Sequence, residues 1–111
     1  MINWIKSLFG YEEYQKLGGA VRSSKWSSVR KEFLQKNPSC AICGKTKKIV
    51  PHHKKPFHLF PELELEVNNL TTLCESNGMN CHITFGHIGN WKNYNSDIIE
   101  DITIWKQKIE A

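Results

Sequence analysis

Apolar positions along the chain fall into a few short, differently spaced groups. Trp26, Val29 and Phe33 recur at helical spacing with Leu34 beside them, while Lys25, Arg30, Lys31 and Lys36 occupy other faces. The pattern predicts a helix that Ser23 or Ser24 caps and that Asn37 and Pro38 end. Lys48 to His53 read as a short strand, and Leu70 to Cys74 as a returning one. Residues 54–68, punctuated by Pro56 and Pro61, read as a loop. Asn80 to Phe85 suggest a short helix stopped at Gly86. Asp97 to Glu110 give the clearest helix. Ser96 is placed to cap it, Asp97, Glu100 and Asp101 suit its positive end, and Ile98, Ile102, Trp105 and Ile109 form one apolar stripe expected to face the core. At the other end, Trp4, Ile5, Leu8, Phe9, Tyr11 and Tyr14 predict one or two short helices before Gly18 and Gly19 break the chain. Residues 1–21 thus read as a helical extension and 22–111 as the main body of a single α+β domain.

With 111 residues the chain can bury only a limited core, which a metal staple would reinforce. No stretch is apolar for long enough to span a bilayer, and the first ten residues lack the long apolar core and cleavage site of a signal peptide. These features place the protein in the cytoplasm, away from membranes. The net charge of +4 is unevenly spread. Residues 1–55 carry 12 Lys/Arg against 3 Asp/Glu, and residues 56–111 carry 3 against 8. A basic half on an otherwise acidic chain is the footprint of a polyanion-binding surface, or simply a solvated charged face. Arg22, Lys25, Arg30, Lys31, Lys54 and Lys55 are the candidate polyanion contacts, with Lys45, Lys47 and Lys48 nearby. Such contacts give affinity without sequence choice.

Four cysteines remain after this division: Cys40 and Cys43 in a Cys-x-x-Cys turn followed by Gly44, then Cys74 and Cys81. Four thiolates at tetrahedral corners match a structural zinc site, although the second pair is spaced more widely than usual. Two disulfides would require an oxidising compartment, and a redox Cys-x-x-Cys would leave the second pair unexplained.

The histidines cluster around the same segments. His52 and His53 end the first strand, Asn69 precedes the second, His82 follows Cys81, and His87 lies five residues further on. On a helix, Cys81 and His82 diverge by about 100°, so one turn could brace a zinc with the thiolate while the imidazole faces a second ion. On a regular strand His52 and His53 face opposite sides, and both serve one site only if the strand bends. The ordered set Cys40-Cys43, His52-His53, Asn69-Leu70, Cys74 and Cys81-His82, with Phe85-Gly-His87 and Gly89-Asn-Trp-Lys-Asn-Tyr-Asn95 following, resembles the HNH endonuclease family over roughly residues 22–95.

The resemblance implies a ββα-metal fold, a hairpin followed by a helix around one catalytic divalent ion (Mg, Mn, Ni or Zn), with the four-cysteine zinc site and flanking helices added. It implies His52 and His82 as metal ligands, His53 as general base, Asn69 as the residue that orients the base, and His87 as a further ligand. Five residues on an α-helix turn by about 500°, so His87 joins the site only if the helix ends or bends at Gly86. DNA is the implied substrate, cut to a 5′-phosphate and a 3′-hydroxyl by a monomer or weak homodimer of phage or bacterial origin, with other phage or restriction components as possible partners. A non-catalytic zinc module binding nucleic acid or protein would explain the cysteines and the charge but not the histidines. RNA is a second alternative substrate.

Overall fold

The computed structural model describes residues 22–110. The expected helices in residues 1–17 fall outside them. Helix α1 (Trp26–Lys36) has Lys25 at its N-cap with no side-chain cap bond, in place of the expected Ser23 or Ser24. The Ser23 hydroxyl accepts the Lys25 amide at 3.1 Å, and the Ser23 carbonyl accepts the Trp26 amide at 3.2 Å. Phe33 is its buried anchor, and Asn37 closes it by donating backbone and side-chain N–H groups to the Phe33 carbonyl.

Strands β1 (Ile49–His53) and β2 (Leu70–Cys74) form an antiparallel two-stranded sheet in which His52 lies opposite Thr71 and His53 opposite Leu70. Bonds from Glu75 to Lys48 and from Lys54 to Asn69 extend the ladder at both ends. Pro51, which has no amide to donate, faces Thr72 at a position where the strands exchange no bonds. The Thr72 carbonyl turns outward instead and accepts the Ala41 amide at 2.8 Å. The Cys-bearing turn is thereby fastened to the far edge of β2, and the Thr72 hydroxyl donates to the Asn37 carbonyl at 2.8 Å, drawing in the end of α1. All five residues of β2 are buried.

The loop between the strands carries two single-turn 3₁₀ segments, Pro61–Leu63 and Val67–Asn69. After β2 the expected short helix is wound more widely than an α-helix, as a π-helical turn over His82–Gly86. Helix α2 (Ile98–Glu110) follows. Its first turn is held by Asn95, whose Oδ1 accepts the Asp97 amide at 2.9 Å, in place of the expected Ser96. Nδ2 of Asn95 donates to the Phe85 carbonyl and to Asp101, tying α2 to the π-helical turn.

The core is small: Cys40, Ile42, Leu73, Cys74, Cys81 and Ile98, flanked by Ile49, Met79, Phe85 and Ile102. Only the first half of the α2 stripe reaches it. Ile98 is buried and Ile102 half-buried, whereas Trp105 packs on Phe85 but is 39% exposed, as is Ile109. Thiols thus supply half of the buried cluster, and little apolar surface stands behind them. Among the described residues no helix is long and apolar enough to cross a membrane.

Candidate metal centres

Two groups of metal-ligating side chains form where the hairpin meets the turn after β2. The first is the four cysteines. In the turn Cys40–Gly44, the Gly44 amide bonds the Cys40 carbonyl and the Cys40 amide bonds the Lys45 carbonyl, with Gly44 at φ +79°, a left-handed conformation that suits glycine. Cys74 ends β2, and Cys81 starts the turn that follows. The four sulfurs lie within 4.8 Å of one another, and Cys43 Sγ is 3.5 Å from Cys74 Sγ. Two thiolates on one zinc at about 2.3 Å each stand roughly 3.8 Å apart at a tetrahedral angle, so the cluster fits a four-thiolate metal site.

Burial pushes the Cys43 and Cys81 thiols up, because a thiolate there lacks solvation. Burial also acts on Cys74, but the Ser76 hydroxyl, the amides of Cys81 and Ser76, and the Cys43 thiol outweigh it and hold Cys74 at about 6. One thiolate is therefore favoured by the protein itself, and a bound cation would supply the charge that stabilises the others.

The second group is His52, His82 and His87, whose ring nitrogens also lie within 4.8 Å of one another. The π-helical turn resolves the spacing difficulty of His87. Its wider winding brings residues five apart onto one face, and the Nε2 atoms of His82 and His87 stand 3.2 Å apart. His82 Nδ1 donates to Glu75 Oε2 at 2.9 Å, and His87 Nδ1 donates to the Asn93 carbonyl at 3.0 Å. With Nδ1 protonated on both rings, both Nε2 atoms present lone pairs to the same point. Two lone pairs at this distance repel unless a proton or a cation sits between them. Nitrogens each 2.0–2.1 Å from one ion at a tetrahedral angle would stand roughly 3.3 Å apart, so the donor set fits a divalent metal.

His52, 5% exposed, completes the group with its ring 5.1 Å from that of His82 and 5.0 Å from that of His87. Burial, reinforced by the neighbouring imidazoles, pushes its pKa down to about 3, and burial also lowers that of His82 against the pull of Glu75. Both rings are thereby favoured in the neutral form that a metal ligand needs. Gly86 admits the His52 ring: a Cβ there would lie 3.0 Å from His52 Cε1 and 3.1 Å from Leu73 Cδ1.

No protein-family model matches the sequence, and no curated protein or solved structure matches it. The chemistry of the centre is thus read from its own geometry.

His53 stands apart from the three imidazoles yet lines the same cleft, of about 730 Å³, together with Arg22, Trp26, His52, His82, His87 and Trp91. Its ring packs on Trp26 at 4.7 Å, and its Nε2 lies 3.0 Å from the Glu64 carbonyl. A carbonyl only accepts, so Nε2 carries the proton and Nδ1 keeps its lone pair. Burial lowers the pKa of His53, with Arg22 adding to the effect and the Glu64 carbonyl opposing it. Asn69 does not reach the imidazole directly. Its Oδ1 accepts the Lys55 amide at 2.9 Å, and its Nδ2 donates to the carbonyls of Lys55 at 3.0 Å and Leu63 at 3.5 Å. It therefore straps the loop whose Glu64 carbonyl holds the ring.

The basic residues are spread over several elements. Arg22 lines the cleft, lying over Phe57 and Trp26 and pairing with Glu64 at 3.3 Å. Lys54 lies instead in a groove behind the hairpin, between α1 and β2, with its Nζ donating to the Asn68 carbonyl. Lys55 sits over the Phe60 ring, and Lys25, Arg30 and Lys31 lie on α1 or just before it.

Sequence reading passed over Glu64, Glu75 and Asn93. Glu64, 4% exposed, accepts the Ser23 amide and Arg22 through its carboxylate while its carbonyl holds His53. Glu75 had a visible sign: Cys74-Glu75 parallels Cys81-His82 as a thiol followed by a group for the second centre. The Asn93 carbonyl had none, because backbone acceptors carry no residue signature.

Proposed function

We propose that the protein is a metal-dependent endonuclease of the HNH type that hydrolyses DNA phosphodiester bonds. One observation carries the reading: three imidazoles arranged to share a cation lie in one cleft with a fourth, neutral imidazole whose Nδ1 is free to accept a proton. His52, His82 and His87 would hold a divalent ion such as Mg, Mn, Ni or Zn, and the four cysteines a structural zinc. When bound, the divalent ion supplies positive charge and Lewis acidity to the phosphate. His53 takes the proton from the attacking water through Nδ1, a contribution typically worth about 10²–10⁴-fold. The Glu64 carbonyl fixes its tautomer, and Asn69 fixes the loop that carries that carbonyl. Arg22 at the rim contacts the phosphate backbone.

Plasmid cleavage by the purified protein across these metals, with end-group analysis, tests the reading. The expected result is metal-dependent nicking with 5′-phosphate and 3′-hydroxyl ends, abolished in His53→Ala while zinc content and DNA affinity persist. Normal cleavage by His53→Ala, free of contaminating nuclease, removes His53 as base. No cleavage by the unmutated protein with any metal favours the non-catalytic zinc module.

A further inference from the structure

Trp91 is the large side chain of the cleft that this reading leaves without a task. Its ring lies 4.9 Å from that of His82 and 5.0 Å from that of His87, yet the residue is 55% exposed. More than half of the residue thus stays accessible beyond what the imidazoles cover. It stands on a loop fixed by its own bonds: Asn90 N to the His87 carbonyl, Lys92 N to Asn90 Oδ1, Asn93 N to the Asn90 carbonyl, and Asn93 Nδ2 to the Ile88 carbonyl. The Asn93 carbonyl of the same loop orients His87. The ring is thus held at a set distance from the candidate metal ligands, with Lys92 beside it on the cleft wall.

We propose that Trp91 is a stacking platform for an unpaired nucleobase adjacent to the scissile phosphate, an inference that rests on the nuclease reading above. A phosphate at the three imidazoles brings its flanking nucleoside within reach of a ring only about 5 Å from two of them. Every base has a π-face, so a lone exposed indole takes any base without reading its edges. In an intact duplex both faces of each base are already covered by neighbours. The ring therefore selects single-stranded or locally unpaired nucleic acid as the substrate class.

The test is binding, measured in a His53→Ala background that keeps the strand uncleaved. The probes are a short fluorescein-labelled oligothymidylate and the same strand with abasic sites in place of its bases. Trp91→Leu keeps an apolar side chain against the imidazoles but offers no stacking face, and Trp91→Phe restores one. Trp91→Leu is expected to weaken oligothymidylate binding by about 5- to 150-fold, to leave abasic-strand binding unchanged, and to be largely rescued by Trp91→Phe. Unchanged oligothymidylate affinity, or equal weakening of both strands, overturns the proposal. If Trp91→Leu fails to fold, the His53→Ala parent decides: equal affinity for the two strands overturns the proposal, and preference for the strand with bases, kept in Trp91→Phe, supports it. Metal-dependent cleavage of both plasmid and the single-stranded oligothymidylate by the unmutated protein is scored separately, so failure of the nuclease reading shows as no cleavage of either, and failure of this proposal as binding indifferent to bases.

Discussion

His82 and His87 direct their Nε2 atoms at each other across 3.2 Å because the chain between them is wound as a π-helix. On an α-helix the same two residues would diverge by about 140°. The widened turn ends at Gly86, whose missing side chain makes room for His52. Gly86→Ala places a methyl group 3.0 Å from His52 Cε1 and 3.1 Å from Leu73 Cδ1, in a fully buried position. Overpacking of this kind costs about 1–3 kcal/mol. The variant is expected to melt at lower temperature and to bind Mn or Ni more weakly by calorimetric titration. Unchanged metal affinity would mean that the His52 position is not needed by the ion.

Glu75 accepts the Nδ1 proton of His82. Glu75→Gln keeps an oxygen acceptor but removes the charge that raises the basicity of the imidazole. Loss of such a partner typically lowers metal affinity by about 10- to 100-fold. Titration of the candidate three-histidine site in Glu75→Gln with Mn or Ni, with metal at the cysteines quantified in parallel, checks this. The second site should weaken alone.

Protonation of His52 links pH to stability. Its pKa in the folded chain, about 3, lies below the ordinary value of 6.5. The unfolded chain therefore binds the extra proton throughout that interval, and stability falls as pH drops from 6.5 toward 3. One such group contributes a slope of up to about 1.4 kcal/mol per pH unit. Thermal melts between pH 7.5 and 5, without added divalent metal, should show the decline, and His52→Gln should flatten it. Equal slopes for the two proteins would contradict a buried neutral His52.

Asn69→Ala should separate loop order from proton transfer. It deletes the side-chain bonds to Lys55 and leaves buried backbone groups short of partners, at a cost of about 1–3 kcal/mol. Cleavage is expected to slow because the Glu64 carbonyl no longer holds the His53 ring in place, and hydrogen exchange across residues 54–66 should quicken. A slowed reaction with unchanged exchange would assign Asn69 a role other than strapping the loop.

Metal removal is the fifth perturbation. Cys40→Ala or Cys74→Ala should lose the tightly held metal, about one zinc per chain, and with it the fold, since half of the buried cluster is thiol. Circular dichroism with metal analysis reads both. Normal folding with full zinc would place the ion elsewhere.

Much of this arrangement was legible in the sequence, because side-chain chemistry and period leave marks. The two strands, α1, α2 and the four-cysteine group follow from spacing, whereas the three-histidine group came from the family resemblance and its spacing spoke against His87. What was hidden lay in the backbone. The register that hides Pro51, the wide winding at His82–Gly86, and the Glu64 and Asn93 carbonyls depend on how the chain turns in three dimensions. The α2 stripe misled for another reason. Its period is helical along its whole length, but the core it meets ends near Ile102, and periodicity cannot report the size of what lies opposite.

Cys74 is followed by Glu75, and Cys81 by His82, so each peptide that ends in a thiol also begins a support of the imidazole centre. A two-stranded hairpin with so small a core is marginal by itself. Loss of the thiolate cluster would accordingly displace Glu75 and His82 along with Cys74 and Cys81, so the imidazole group depends on the sulfur group for its backbone. The two groups are thus coupled through two peptide bonds, and damage to the first reaches the second without any side chain of the second being touched.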